Sequence, residues 1–319
     1  MISSLELARR CGVSQGTVDR ALHGRPGISP RTRDRILAAA EQCGYRPNPA
    51  ARELITGQSG LVGAVLPSVN NVFFMDLFHE LAKRLRERGL RLQLAPVETR
   101  AEFLAALDDF AARRHRMALV IPPEDGIPIP RPVARQLPVV SLVSPCKGAG
   151  IHFLAPDEEE TGRTAVRYLH GRGHRRILHL TYARQSYAIK ARARGYAGQA
   201  RETGLQPHIL AGVDRESLAR ALRAARPTAL FCHNDWLALT ALLLLSERGI
   251  RVPEDVSILG VDNSPTFAAI NPHLTTLAYP MEAMARAVLD ILDGKPGSLA
   301  GERFPVIERE TVRDIESAV

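Results

Sequence analysis

The sequence predicts a small all-α unit at the N-terminus followed by a large α/β unit built on parallel sheet. Three observations predict it. Residues 1–57 read as short helices separated by tight turns. From Leu61 onward, short apolar strands alternate with amphipathic helices, the pattern of a parallel sheet covered on both faces. Between the two, Tyr45-Arg46-Pro47-Asn48-Pro49 breaks the helical pattern and starts a new one.

The N-terminal elements follow from their start and stop signals. Ser3 and Glu6 stand at the S-x-x-E spacing of a capping box. Leu5, Ala8 and Cys11 share one face of the first helix, which Gly12 ends. Ser14 precedes a second helix from about Gln15 to Leu22. A third starts at Ser29, with Pro30 in its first position, and stops at Gly44. Its apolar residues Ile36, Leu37 and Ala40 recur at helical spacing. Asn48 then caps, and Pro49 opens, a helix running to Thr56 and closed by Gly57. It is too short to be stable alone.

In the large unit the expected strands are Leu61–Leu66, Leu90–Ala95, Ala118–Ile121, Val139–Val143, Ile177–Leu180, Ile209–Ala211, Ala229–Cys232 and Ile258–Val261. Helices between them include Asp76–Arg88, Ala101–Arg113, Glu160–Arg172 and Asp235–Arg248. Strands at this spacing fit two doubly wound lobes, and equally a single closed barrel.

Bulk properties narrow the function. The chain has 319 residues and a formal net charge of +8, with a pI near 9.7. Residues 1–60 hold nine arginines against five acidic residues, so half of that charge sits in the first unit, as a polyanion-binding unit requires. Cys11, Cys43, Cys146 and Cys232 are scattered, without metal-ligand spacing, and read as small hydrophobes in a reducing cytosol. No metal or cofactor is expected. The first residues lack the apolar run of a signal peptide, and the stretch from Trp236 to Leu245 is too short to span a bilayer. The expected location is cytoplasmic, with no membrane partner. GxSxG occurs only as Gly12-Val13-Ser14-Gln15-Gly16, within the N-terminal helices and not at a strand-to-helix turn, and no P-loop is present, so the common enzyme signatures are missing from the α/β unit.

Leu7 to Leu22 forms a helix-turn-helix pattern. Gly12 supplies the turn, Val13 plugs the angle between the helices, and Ser14 caps the second helix so that its first turn can enter a major groove. Val18 and Leu22 face the core, leaving Gln15, Gly16 and Arg20 to face DNA. Gln and Arg can form paired hydrogen bonds with adenine and guanine edges.

Extended further, the run GVSQGTVDRALHGRPGISPRTRDRILAAAEQCGYRPNPAARELITG resembles the DNA-binding headpiece and hinge of the LacI/GalR family of bacterial repressors. LVGAVLPSVNNVFF, GHRRILHL, KARARGY, ALFCHNDWLALTAL, GIRVPEDVSILGVDN and PHLTTLAYPMEAMARAVLDIL continue the resemblance in order over nearly the whole chain. The resemblance implies a helix-turn-helix headpiece at 1–46 and a hinge at 47–59. It also implies a periplasmic-binding-protein-like domain at 60–319 made of two doubly wound parallel-sheet lobes. Lobe 1 is expected at about 60–153 and 279–302, and lobe 2 at about 154–278 and 303–319.

By the same resemblance the protein is a transcriptional repressor acting as a homodimer on a pseudo-palindromic operator in double-stranded DNA. A small-molecule effector, a sugar or related metabolite, would control it allosterically. Gln15 and Gly16 match base-reading positions. Ser14 begins the recognition helix, and Thr17, Arg20 and Ser29 match positions that mainly contact phosphates or hold the headpiece together. Asn48, Ala51 and Leu54 match the hinge helix, with Leu54 as the wedge in the minor groove. Asn71, Phe73, Phe74, Arg192, Asn234, Asp235, Asp262 and Tyr279 match the effector site, which the family places at the carboxyl ends of strands from both lobes. The apolar repeat from Met281 to Leu292 is expected to contribute to the dimer face.

Four departures stand out. Asp19 replaces a common serine, so a neighbouring arginine, Arg20 or another, is expected to pair with it. His23 replaces a common asparagine. Val143 stands where sugar-binding members carry an aspartate, and Arg215 where some carry an aromatic residue, an arginine suited to an acidic sugar. The alternative function is that of a periplasmic-type solute-binding protein, which would lack the headpiece.

Overall fold

The computed structural model describes residues 2–45, 59–67 and 71–315. It divides into two compact units, Met1–Gln58 and Ser59–Val319. The hinge helix expected around Asn48, Ala51 and Leu54 lies outside the described residues.

In the first unit, α1 (Ser4–Arg10), α2 (Gln15–Leu22) and α3 (Pro30–Gln42) are each begun by a serine. Ser3, Ser14 and Ser29 accept a hydrogen bond from the backbone N–H three residues on, at 3.1–3.2 Å. Each satisfies an N–H that the helix itself leaves unpaired. Gly12, at φ +60°, makes the turn between α1 and α2 where a side chain would be strained. The core is Leu7, Ala8, Cys11, Val18, Ala21, Ile36 and Ala40, with Val13 and Leu22 packed against it. Two expectations are corrected. Leu5 and Leu37 are exposed, because Leu7 and Ile36 take the inward arc of their helices.

The second unit holds two sheets, which decides for two lobes over a closed barrel. The first sheet has order β2-β1-β3-β4-β5. Its strands are β1 (Leu61–Leu66), β2 (Arg91–Pro96), β3 (Ala118–Val120), β4 (Val139–Leu142) and β5 (Ile151–Leu154), all parallel. Helices α4 (Val72–Glu87), α5 (Arg100–Ala112) and α6 (Arg131–Gln136) connect them.

The second sheet has order β11-β10-β9-β8-β6-β7. It comprises β6 (Ile177–Thr181), β7 (His208–Ala211), β8 (Ala229–Cys232), β9 (Ser257–Asp262), β10 (Thr276–Ala278) and β11 (Val306–Ile307). Only the β10–β11 pair is antiparallel. Its helices are α7 (Glu158–Gly171), α8 (Tyr187–Glu202), α9 (Arg215–Ala225), α10 (Asp235–Ser246) and α11 (Pro265–Ile270). α12 (Met281–Leu292) returns to pack on α4 in the first lobe.

β5, β10 and β11 were not expected from the sequence. They are two to four residues long, and β5 has two exposed residues, so none carries an extended apolar run. The apolar stripe of α12 has its own use. Met284, Ala285, Val288 and Ile291 are buried within the lobe and therefore do not themselves mark a dimer face.

Candidate functional site

In the first unit, α2 buries Val18 and Ala21 and exposes Gln15, Gly16 and Arg20. The outward face is thus open for contact. A side chain at Gly16 would meet nothing nearer than Ser14 Oγ at 3.9 Å, so packing does not demand glycine there. Gln15 Nε2 donates to Ser4 Oγ at 2.7 Å. Thr17 Oγ1 and Ser14 Oγ share a hydrogen bond of 2.9 Å, and Ser29 makes the same contact with Thr32. Asp19 pairs with Arg25 at 2.9 Å and with His23 at 3.0 Å. The compensating arginine is therefore Arg25, not Arg20. Both departures from the common pattern meet in one local cluster, and Arg20 keeps its guanidinium for other partners.

In the second unit, a cavity of about 480 Å³ lies between the lobes. It sits at the carboxyl ends of strands from both sheets. Pro67 follows β1, Ile121 and Pro122 follow β3, and Val143 and Ser144 follow β4. From the other lobe come Tyr182 after β6, His233 and Asn234 after β8, and Asp262 at the end of β9. In each sheet the strand order reverses here, between β1 and β3 and between β6 and β8, where open α/β sheets leave a crevice.

Seven of the eight expected effector residues line this cavity: Asn71, Phe73, Phe74, Arg192, Asn234, Asp262 and Tyr279. Asn71 also caps α4, its Oδ1 accepting from Phe74 N at 3.3 Å. The Phe73 ring meets Tyr279 edge-on at 4.7 Å and Phe74 at 5.6 Å, forming an aromatic wall. Asn234 Oδ1 accepts from Leu237 N and from the Tyr182 hydroxyl, leaving its Nδ2 without a hydrogen-bond partner among the described residues.

The eighth residue, Asp235, is not brought to the cavity. Its carboxylate turns into the lobe, where Thr276 Oγ1 donates to it at 2.6 Å and Asn263 N at 2.8 Å. Asn234, not Asp235, occupies the cap position, so the Asp235 side chain points back across β9. Burial raises its pKa to about 7, with those two hydrogen bonds pulling the other way. Arg215 is also remote from the cavity. It begins α9 in solvent and pairs with Glu247 at 2.8 Å.

Asp262 is 4% exposed, and among the described residues none donates a hydrogen bond to its carboxyl. Burial pushes its pKa well above the usual carboxylate range, against the pull of nearby Arg192. Its backbone sits at φ +126° and that of Asn263 at +47°. Both are strained for residues with side chains, and this strain points the Asp262 carboxyl at the cavity. Val143, across the cavity, is likewise held at φ +64°.

Arg192 projects from α8 and is 4% exposed. Its Nε donates to Glu158 Oε2 at 2.5 Å and its Nη1 to the His233 carbonyl. Burial opposes its charge, but the adjacent carboxylate outweighs burial and raises its pKa. Burial also drives His233 well below its ordinary pKa, so its ring is neutral, and pushes Tyr182 up to about 12.

Sequence reasoning missed Glu158, Tyr182, His233, Trp236 and Phe267. Trp236 and Phe267, 6.1 Å apart, form a second aromatic wall. A polar end to each of β6 and β8 was the available signal for Tyr182 and His233. The site offers aromatic faces, a neutral imidazole, an amide and an unpaired carboxyl, a set suited to holding a small hydroxylated molecule rather than to catalysis. Among the described residues no group of side chains could hold a metal ion, and no helix is long and apolar enough to cross a membrane.

Comparison with known proteins agrees with both units. Residues 5–48 match the family of bacterial regulatory proteins, lacI family, and residues 166–312 match the periplasmic binding protein-like domain. The chain is 30% identical over 316 residues to the HTH-type transcriptional regulator AscG of Escherichia coli (strain K12), covering 92% of this chain and 93% of that protein. It is 27% identical to the HTH-type transcriptional repressor PurR of Vibrio cholerae, over 99% of each. Among solved structures, the lac repressor dimer bound to operator and the anti-inducer ONPF superposes with a TM-score of 0.79. The identity is 22%, over 98% of this chain and 99% of that one. The complex of the transcriptional regulator CelR with cellobiose gives a TM-score of 0.65 at 26% identity, over 98% of this chain and 100% of that one. These relatives are regulators, not enzymes. The chain belongs to the lacI family of bacterial regulatory proteins and is a DNA-binding transcriptional regulator.

Proposed function

We propose that the protein is a repressor that binds a pseudo-palindromic operator as a homodimer, under allosteric control by a small hydroxylated metabolite held between the two lobes. One observation carries the effector reading. A buried carboxyl, Asp262, has no hydrogen-bond donor among the described residues and faces a cavity walled by aromatic rings from both lobes. A ligand hydroxyl supplies the missing donor, and the rings cover the apolar faces of a sugar or nucleoside.

On the DNA side, Gln15 and Gly16 lie over base edges. Arg20 contacts phosphate, and Ser14, Thr17 and Ser29 hold the helix ends at the backbone. Asn48, Ala51 and Leu54 form the hinge, with Leu54 wedged at the operator centre. The effector acts by binding one lobe arrangement better than the other, which changes the hinge pairing.

The test is selection of bound fragments from random duplex DNA by the full chain, beside Leu54→Ala. The expected result is a pseudo-palindrome with half-sites spaced by about one helical turn, bound more weakly by Leu54→Ala. Salt-sensitive, sequence-blind binding alone would overturn the operator reading and favour a solute-binding role.

A further inference from the structure

We infer that Glu158 sets the charge selectivity of the cavity: standing behind Arg192, it cancels the arginine's charge, so the site takes an uncharged hydroxylated ring and rejects sugar carboxylates. This rests on the reading of the cleft as an effector site.

Glu158 belongs to the run Asp157-Glu158-Glu159-Glu160 at the start of α7. Its neighbours serve the helix exterior. Asp157 caps α7, Glu159 pairs with Arg163 and Arg194, and Glu160 pairs with Arg167. Glu158 alone turns inward and is 0% exposed. It does not line the cavity. It touches Arg192, which does.

The charge of the inner wall follows from a short inventory. The ionisable groups there are Arg192, Asp262, His233, Tyr182 and Tyr279. The histidine and both tyrosines are neutral, for burial opposes charge on each. Arg192 is matched by Glu158. With Asp262 protonated the wall sums to zero, and with Asp262 ionised it is negative. In neither state is it positive. Arg184, the remaining lining cation, is exposed at the rim, donates to the Pro123 carbonyl, and acts through solvent that screens it. Arg192 also has its Nε and one Nη1 hydrogen committed to Glu158 and to the His233 carbonyl, so the fork that includes Nε is closed to an incoming carboxylate and a ligand oxygen meets the remaining Nη hydrogens of an arginine already paired with a carboxylate. An arginine in a binding cavity ordinarily suggests an anion. Here the buried partner removes that preference.

The test uses calorimetry on the full chain with matched pairs: D-glucose and D-glucuronate, D-galactose and D-galacturonate, adenosine and adenosine 5′-monophosphate. Wild type is expected to bind the uncharged member of at least one pair more tightly than its acid by about tenfold or more, the worth of one hydrogen bond to a charged group. Glu158→Gln keeps an acceptor for Arg192 Nε but removes the charge. It should gain about tenfold for the acid member, and the double variant Glu158→Gln/Arg192→Gln should lose that gain. A merely structural Glu158 would shift both members of a pair together. Wild-type preference for an acid, or equal shifts in Glu158→Gln, would overturn the inference while leaving the effector site standing. Failure of wild type to bind any member would count against the effector reading itself, and the inference with it. The wild-type comparison stands even if the variants fail to fold.

Discussion

At the scale of single residues, several polar groups of the second unit are buried at strand ends, and each has a consequence that can be measured. His174 is fully buried between the Thr228 hydroxyl and the Arg313 carbonyl. Burial lowers its pKa to about 4, the carbonyl bond partly opposing that shift. The folded state therefore holds a neutral ring where the unfolded chain takes up a proton near pH 6.5. The contribution to stability is complete above that pH and is lost as pH falls from about 6.5 through about 4, reaching on the order of 3 kcal/mol. His174→Gln carries no such titration. Its urea-unfolding stability should fall less steeply than wild type's across that window, and parallel curves would show that His174 is not the group responsible.

The same scale shows what the sequence could and could not reveal. Arg192 and Asp262 were legible because each sits in a run that matches the family, KARARGY and GVDN. Asp235, in an equally good match, was misplaced. Its neighbour Asn234 takes the cap, and one step along the chain reverses the direction of the side chain. Glu158 was hidden in a run of four acids, which reads as the favourable negative charge of a helix start. Only packing distinguishes the one that turns inward.

At the scale of elements, the decisive contact is between α7 and α8. Gly162 and Gly195 let the two backbones touch. A methyl group at Gly162 would lie 2.2 Å from the Arg192 carbonyl oxygen, and one at Gly195 would lie 1.8 Å from that of Glu159. This close approach sets Glu158 of α7 against Arg192 of α8. Backbone cannot move aside as a side chain can, so Gly195→Ala should destabilise the second unit by about 3 kcal/mol. Thermal unfolding would report this, and an unchanged midpoint would mean that the helices separate freely. The strand–helix alternation that made most of this unit legible survives in the structure. The elements it missed include β5, β10, β11 and α11, each of six residues or fewer, which tertiary pairing rather than periodicity holds in place.

At the scale of the whole molecule, the proposed regulation requires the two units to be coupled. Within the second unit the two lobes are joined across the cavity by protein groups as well. Asp76 of α4 accepts from Thr266 Oγ1 at 2.8 Å and from Thr266 N at 3.1 Å, and Arg184 bonds the Pro123 carbonyl. The Tyr187 ring meets Phe153 edge-on at 5.2 Å. These contacts hold one lobe arrangement, and a ligand shifts the balance only by favouring one arrangement over another. The net charge of +8 draws the chain to DNA without choosing a sequence. In the proposed mechanism selectivity and control come from α2, the hinge residues and the cavity.

The central claim is that these parts are coupled. The most direct measurement is the affinity of the full chain for its selected operator, titrated with the uncharged sugar or nucleoside that calorimetry finds to bind. The account predicts a change of about fivefold or more in operator Kd at saturation. A compound that saturates the cavity, one per chain, and leaves operator affinity unchanged would contradict it.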